Sequence, residues 1–187
     1  MYIKKPIEKY LQDLAAKMPA PGGGSAAALS SAMAAALVVM ACEFTLGNGK
    51  YKASEGLIKV ILARSKNIQK RLSELMDEDI KAYSLKDLKN SILVPAEICF
   101  LSHELIGFAS EVVKRGNQRL VTDAALAIFL SEAGFLGALS YVEVNVNALK
   151  NKTKTDVRLL KKLKVLRCGV IKRAKKVEGQ LGNTSRR

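Results

Sequence analysis

One carboxylate in this chain falls where hydration is poor. Leu57, Ile61, Ile68, Leu72 and Leu75 recur at helical spacing, and stepping about 100° per residue places Asp79 in the middle of that apolar stripe. Tyr83 lies beside it one turn later, and Asp77 points the other way. An acid so placed must be paired, protonated or used as a proton acceptor, and Lys, Tyr or backbone donors would satisfy it equally well. A second acid, Asp123, falls at the start of a later helix, where capping the exposed amides explains it without any chemistry. Gly22, Gly23, Gly24 and Ser25 follow Pro19 and Pro21, and such a turn can form an amide nest for an anion or a carbonyl oxygen. It lacks the Lys of a phosphate-binding loop and the spacing of a dinucleotide fingerprint, so a simple turn is the plainer meaning. His103, the only histidine, lies opposite its helix's apolar stripe among Glu104, Glu111 and Lys114, which predicts a surface position. With Cys42, Cys99 and Cys168 scattered, the usual zinc sets and nucleophile–His pairs are excluded. The thiols read as inert, reduced core residues of a cytoplasmic protein, with no metal and no cofactor expected.

The elements that must position these groups are all helical. Ile7, Tyr10, Leu11, Leu14 and Met18 predict a short first helix behind Pro6 that ends before Pro19. Ala26 to Cys42 carries eight Ala and no charge, which suits a buried helix capped by Ser25 and ended by Gly47, Asn48 and Gly49. Ser54 caps a long third helix through Tyr83, and residues 84–94 form a connection. Pro95 then sits in the first turn of a fourth helix that turns Ile98, Leu101, Leu105, Phe108 and Val112 inward and stops at Gly116. A fifth helix, opened by Thr122 or Asp123, runs to Leu149 and is apolar on nearly every side, so it belongs inside a bundle or at a subunit interface. Leu159, Leu163, Leu166, Val170, Val177 and Leu181 form the seam of a sixth, basic helix over 156–182, and GNTSRR reads as a loose tail. The expectation is a single all-α domain over 1–187, an up-and-down bundle of about six helices.

Charge must be located before it is interpreted. The chain has 187 residues and a formal net charge of +14. Residues 150–187 hold 14 Lys or Arg against Asp156 and Glu178, so the body is nearly neutral. Lys161, Lys162, Lys164, Arg167, Lys172, Arg173, Lys175 and Lys176 could bind phosphates, which makes a non-enzymatic module for nucleic acid or an acidic partner the alternative reading. Without a reader motif, and with few aromatics, nucleic acid is not the expected partner. The N-terminus has no apolar signal core, and the uncharged run at 26–42 is short for a bilayer span, so no membrane partner is expected.

PAPGGGSAAAL at 19–29 and FTLGNGKY at 44–51 resemble the start of the formiminotetrahydrofolate cyclodeaminase and methenyltetrahydrofolate cyclohydrolase family. LMDEDIKAY at 75–83, Pro95, GNQRLVTDAA at 116–125 and the segment from Gly137 to Leu149 continue the resemblance in order. It implies a helical, dimeric enzyme of folate one-carbon chemistry, whose substrate is a tetrahydrofolate derivative, polyglutamylated forms included. It also implies catalytic roles for Asp79 and Asp123 and substrate contacts for Gly22, Gly23, Gly24, Ser25, Thr45, Lys50, Asn117 and Asn145. Lys50 would meet the glutamate carboxylates. Tyr141 stands where the family has an Asn, and Asn48 and Gly49 stand where it usually has basic residues. In an up-and-down bundle Gly22, Asp79 and Asn145 share one pole, whereas Thr45, Lys50, Asn117 and Asp123 share the other. Asp123 and Asn145 are roughly 33 Å apart at about 1.5 Å per residue, so one small ligand reaches both only across two antiparallel subunits.

Overall fold

The computed structural model describes residues 1–184, with side chains through Leu181, and those residues contain six α-helices and no strand. They are α1 (Ile7–Ala15), α2 (Gly23–Glu43), α3 (Glu55–Ser84), α4 (Asn90–Arg115), α5 (Val121–Ala148) and α6 (Lys154–Thr184). From α2 onward the chain runs up and down, with α2 against α3 and α5, and α6 laid over α4 and α5. The helix therefore continues through Thr184 where a tail was expected from Gly182, and Ser185, Arg186 and Arg187 lie outside the described residues.

Small side chains set the spacing of the central helices. Ala28, Ala34, Ala35 and Ala41 of α2 are fully buried, and so are Ser31 and Ser102, whose hydroxyls meet at 2.7 Å between α2 and α4. Ser30 donates to the Leu130 carbonyl at 2.8 Å, tying α2 to α5. Gly134 completes that contact, because a Cβ there would stand 2.8 Å from the Ala27 carbonyl oxygen. Larger side chains, among them Ile58, Ile68, Leu72, Ile98, Leu105 and Phe135, fill the space around this seam.

Several local expectations shift for identifiable reasons. α1 ends at Ala15, and its Ile7 and Leu11, like Met18 beyond it, stay exposed while Tyr10 turns inward. On α3 it is Ile58 that is buried, whereas Leu57 is exposed and Ser54 makes no cap bond. α4 begins at Asn90, because Asp87 accepts from the Asn90 backbone amide and side chain, and this leaves Pro95 inside the helix. Proline lacks the N–H that would reach back to Ser91, and the Asn145 side chain donates to that carbonyl at 2.6 Å instead. α5 packs against α2 and α4 and leaves Leu126, Tyr141 and Val144 exposed in the single chain. His103 is half-buried beneath α6, where desolvation and then Arg173 hold its pKa below the ordinary value. Burial pushes the Cys42 and Cys99 thiols up to about 12, whereas Cys168 is exposed rather than a core thiol.

Helices α2 and α4 and the Gln118–Ala148 stretch are long and apolar enough to cross a bilayer by length and composition, so the run at 26–42 belongs to a helix that is not too short for a span. About half of each apolar window is buried against the other helices. Gly134→Ala should lower stability by about 1–3 kcal/mol, because the clash is with α2 backbone that cannot rotate away. Urea denaturation of the two proteins checks this.

Candidate active site at the start of α2

The pole that carries the α2 N-terminus contains a hollow of ≈ 240 Å³ lined by Gly22, Gly23, Gly24, Asp79, Tyr141 and Asn145. Pro19, Tyr83, Ser91 and Val144 complete its walls. Each helix delivers its group for a local reason. The 3.6-residue repeat carries Asp79 to the inner face of α3 at its last turns. Tyr141 and Asn145 lie one turn apart on α5, and the Ser91 carbonyl freed by Pro95 fixes the Asn145 amide.

The glycines are required by the closeness of what they face. A Cβ on Gly24 would stand 2.6 Å from the Asp79 carboxyl carbon, and one on Gly23 would stand 3.1 Å from the Tyr141 ring. Asp79 thus lies directly on the first turn of α2, where free amides and the helix dipole favour a negative charge. The turn that could have formed a nest for a ligand's anion is met by the protein's own carboxylate. Burial nevertheless dominates and raises the Asp79 pKa from 3.8 to about 6, against a hydrogen bond from the Ser25 backbone amide that lowers it. Ser25 itself is not a cap. Gly22 holds that position, and the buried Ser25 hydroxyl donates to the Gly22 carbonyl at 2.8 Å and meets the Tyr10 hydroxyl at 3.1 Å.

At the opposite pole a hollow of ≈ 390 Å³ is lined by Asn48, Lys50, Tyr51, Asn117, Gln118 and Arg119. Lys50 lies 5.7 Å from the centre of the Tyr51 ring, and Arg119 adds a second cation. Thr45 is only 2% exposed, donates to the Ala41 carbonyl and accepts from the Asn117 amide, so it braces the loop from within. Asn117 is also engaged, donating to the Phe44 carbonyl and accepting from the Arg119 amide. Asp123 does not cap α5, because Leu120 occupies that position and Asp123 stands in the first turn, outside this hollow. The structure therefore gathers Gly22, Gly23, Gly24, Asp79 and Asn145 at one pole and Lys50 and Asn117 at the other.

Tyr141, Tyr83 and Arg119 were not singled out as site residues from the sequence. Their signal was available in the four-residue step from Tyr141 to Asn145, the same step from Asp79 to Tyr83, and the adjacency of Arg119 to Asn117. A larger hollow of ≈ 420 Å³ opens between α4 and α6 beside Glu111, Lys114 and Arg173, but no buried acid faces it. The Asp79 hollow combines a poorly hydrated carboxylate, two phenols and a helix N-terminus.

Comparison with known proteins agrees with this architecture. The family model described as formiminotransferase-cyclodeaminase matches residues 6–86 and 85–162. The chain is 32% identical to methenyltetrahydrofolate cyclohydrolase of Methylorubrum extorquens, over 82% of this chain and 85% of that one. It is 22% identical to formimidoyltransferase-cyclodeaminase of Rattus norvegicus, matching 82% of this chain but spanning only 33% of that protein. Its fold superposes on the crystal structure of formiminotetrahydrofolate cyclodeaminase from Thermotoga maritima with a TM-score of 0.88 at 23% identity, covering 97% of this chain and 100% of that one. By the family match and the 32% identity, the chain belongs to the formiminotransferase-cyclodeaminase family.

Proposed function

We propose that this protein is a folate one-carbon enzyme that hydrolyses the 5,10-methenyl bridge of tetrahydrofolate, with Asp79 as general base. The observation that carries the reading is the Asp79 carboxylate, held in a half-enclosed hollow with its pKa near 6. The methenyl bridge is an amidinium-like cation, and a carboxylate is the complement it needs. The 32% identity to the M. extorquens cyclohydrolase, against 22% to the R. norvegicus cyclodeaminase, favours hydrolysis as the main reaction. The same groups would move protons if ammonia left from a formimino substrate.

The proton count closes on one acid. Water adds to the bridge carbon and passes a proton to Asp79 as the C–O bond forms and the cationic charge is quenched. One C–N bond then breaks, its electron pair goes to the departing nitrogen, and that nitrogen takes the proton back from Asp79. The hydroxyl proton leaves to solvent as the formyl C=O forms, so each turnover releases one proton. A base with a pKa near 6 is ionised at neutral pH yet keeps proton affinity for the transfer.

The arrangement across two chains belongs to the same proposal. Met33 of α2, Phe44 just past its end, and Leu126, Tyr141 and Val144 of α5 are exposed, and the two helices pack side by side. A second copy laid antiparallel on this face would cover them and bring the Lys50 and Arg119 hollow of one chain to the Asp79 hollow of the other. Those cations would meet glutamyl carboxylates of the folate, and Asp123 would approach the pterin only in this arrangement. A cytoplasmic location, with no membrane partner, fits such a substrate.

Asp79→Asn should cut kcat for methenyltetrahydrofolate by roughly 10²–10⁴-fold. Followed by absorbance with and without ammonia, full turnover by the variant would remove Asp79 from the mechanism. In the wild type, kcat/KM should rise with pH through about 6 as the base ionises. Stability should move the opposite way. Because the folded carboxyl binds its proton more tightly than the unfolded one, its charge destabilises the fold increasingly as pH rises from 3.8 through about 6. Asp79→Asn should therefore be more stable by about 1–3 kcal/mol at pH 7, with the difference vanishing below about pH 4. Thermal melts at the two pH values test this. Sedimentation at micromolar concentration should give the mass of two chains, and Met33→Asp with Leu126→Asp should give one; a monomeric wild type would refute the paired site.

A further inference from the structure

Two phenols, Tyr83 and Tyr141, line the Asp79 hollow, and Tyr141 is the one that meets the first turn of α2. Its ring lies on Gly23 while the Asp79 carboxylate lies on Gly24, the next residue of the same turn. Consecutive helical residues point about 100° apart, so the two groups flank the α2 terminus from adjacent sides and open onto one hollow. The Asn145 amide, one turn further along α5, is spent on the Ser91 carbonyl through its N–H. The Tyr141 hydroxyl makes no hydrogen bond to any described residue, and the residue is 41% exposed. The hydroxyl is itself the Tyr141 atom nearest Gly23, so it lies at the α2 terminus on the wall of the hollow with no hydrogen-bond partner among the described residues.

The geometry points to Tyr141 as a catalytic residue whose hydroxyl holds the oxygen atom that is transferred to the substrate carbon. A phenol both accepts and donates, which suits an oxygen whose needs reverse during the reaction. Before attack, the phenol oxygen accepts from one O–H of the water while Asp79 accepts the other, turning a water lone pair towards the carbon. After the bond forms, the phenol O–H donates to the same oxygen as it becomes a carbonyl. No proton is lost or gained by Tyr141 over the cycle, so the proton count given for Asp79 is unchanged. A water held in this way donates one O–H to each partner and keeps a lone pair for the carbon.

This assignment rests on the hydrolytic reading of the same hollow, and one set of assays separates the two. Tyr141→Phe keeps the ring on Gly23 and removes the hydroxyl alone. With methenyltetrahydrofolate the expected result is a fall in kcat of roughly 10²-fold, of the size seen when one donor to a developing oxyanion is removed. KM should stay within about twofold and the melting temperature should not move, because ground-state contacts and packing are retained. A Tyr141→Phe enzyme with wild-type kcat would overturn the role of the hydroxyl and leave the Asp79 mechanism standing. A rise in KM at unchanged kcat would also overturn it, by making Tyr141 a plain substrate contact. A wild-type protein inactive on both methenyl- and formiminotetrahydrofolate would remove the reading on which the assignment stands.

Discussion

The site depends on the approach of one carboxylate to one helix end. Asp79 reaches the first turn of α2 because Gly24 has no side chain there, and Tyr141 reaches the same turn because Gly23 has none. Two opposed terms then act on the acid. Free amides and the helix dipole favour its charge, while loss of water disfavours it, and the loss of water wins. A fully solvated Asp would be too weak a base, and a fully paired one would be weaker still. An intermediate position, supported on one side by the Ser25 amide and open on the other to the hollow, would suit a base acting at neutral pH.

That position must be rigid, and the small residues of the bundle make it so. The Ala and Ser face of α2 lets α4 and α5 come close, and hydroxyl contacts at Ser30, Ser31 and Ser102 lock the seam. Tyr10 reaches from α1 to Ser25, so the start of α2 is held from behind as well. Pro95 contributes by omission, since the carbonyl it leaves free draws in the Asn145 amide. An apparent break in a helix is thereby converted into the tie between α4 and the end of α5 that forms one wall of the hollow.

The sequence made the bundle legible because α1, α3, α4 and α6 carry apolar residues at helical spacing, while α2 and α5 stand out as long runs with few charges. It also made Asp79 legible, since a charge in the middle of a stripe violates that pattern. Positions whose roles depend on neighbours distant in sequence were not legible. Thr45 and Asn117 are polar residues in a loop, and nothing local distinguishes a ligand contact from the brace they form with each other and with Phe44. Ser25 looks like a cap because it follows three Gly, yet the helix starts earlier once Asp79 and Tyr141 lie on Gly23 and Gly24. Asp87, not Pro95, satisfies the first amide of α4, a bond that no apolar periodicity reports.

Electrostatics also explains why the two poles differ. The α2 pole offers a substrate a negative group, and the opposite pole offers Lys50 and Arg119. A folate carries a cationic bridge at one end of its reactive region and carboxylates at the end of its tail, so it needs both signs of charge in one groove. A single antiparallel bundle places them at opposite ends of its long helices, too far apart for one such molecule. Pairing two copies across the uncharged face of α2 and α5 would bring the signs together, and it would bury Met33, Phe44 and Leu126, which the single chain leaves in water. The same apolar surface that would drive association thus also sets the geometry in which a molecule with a positive centre and a negative tail can be held.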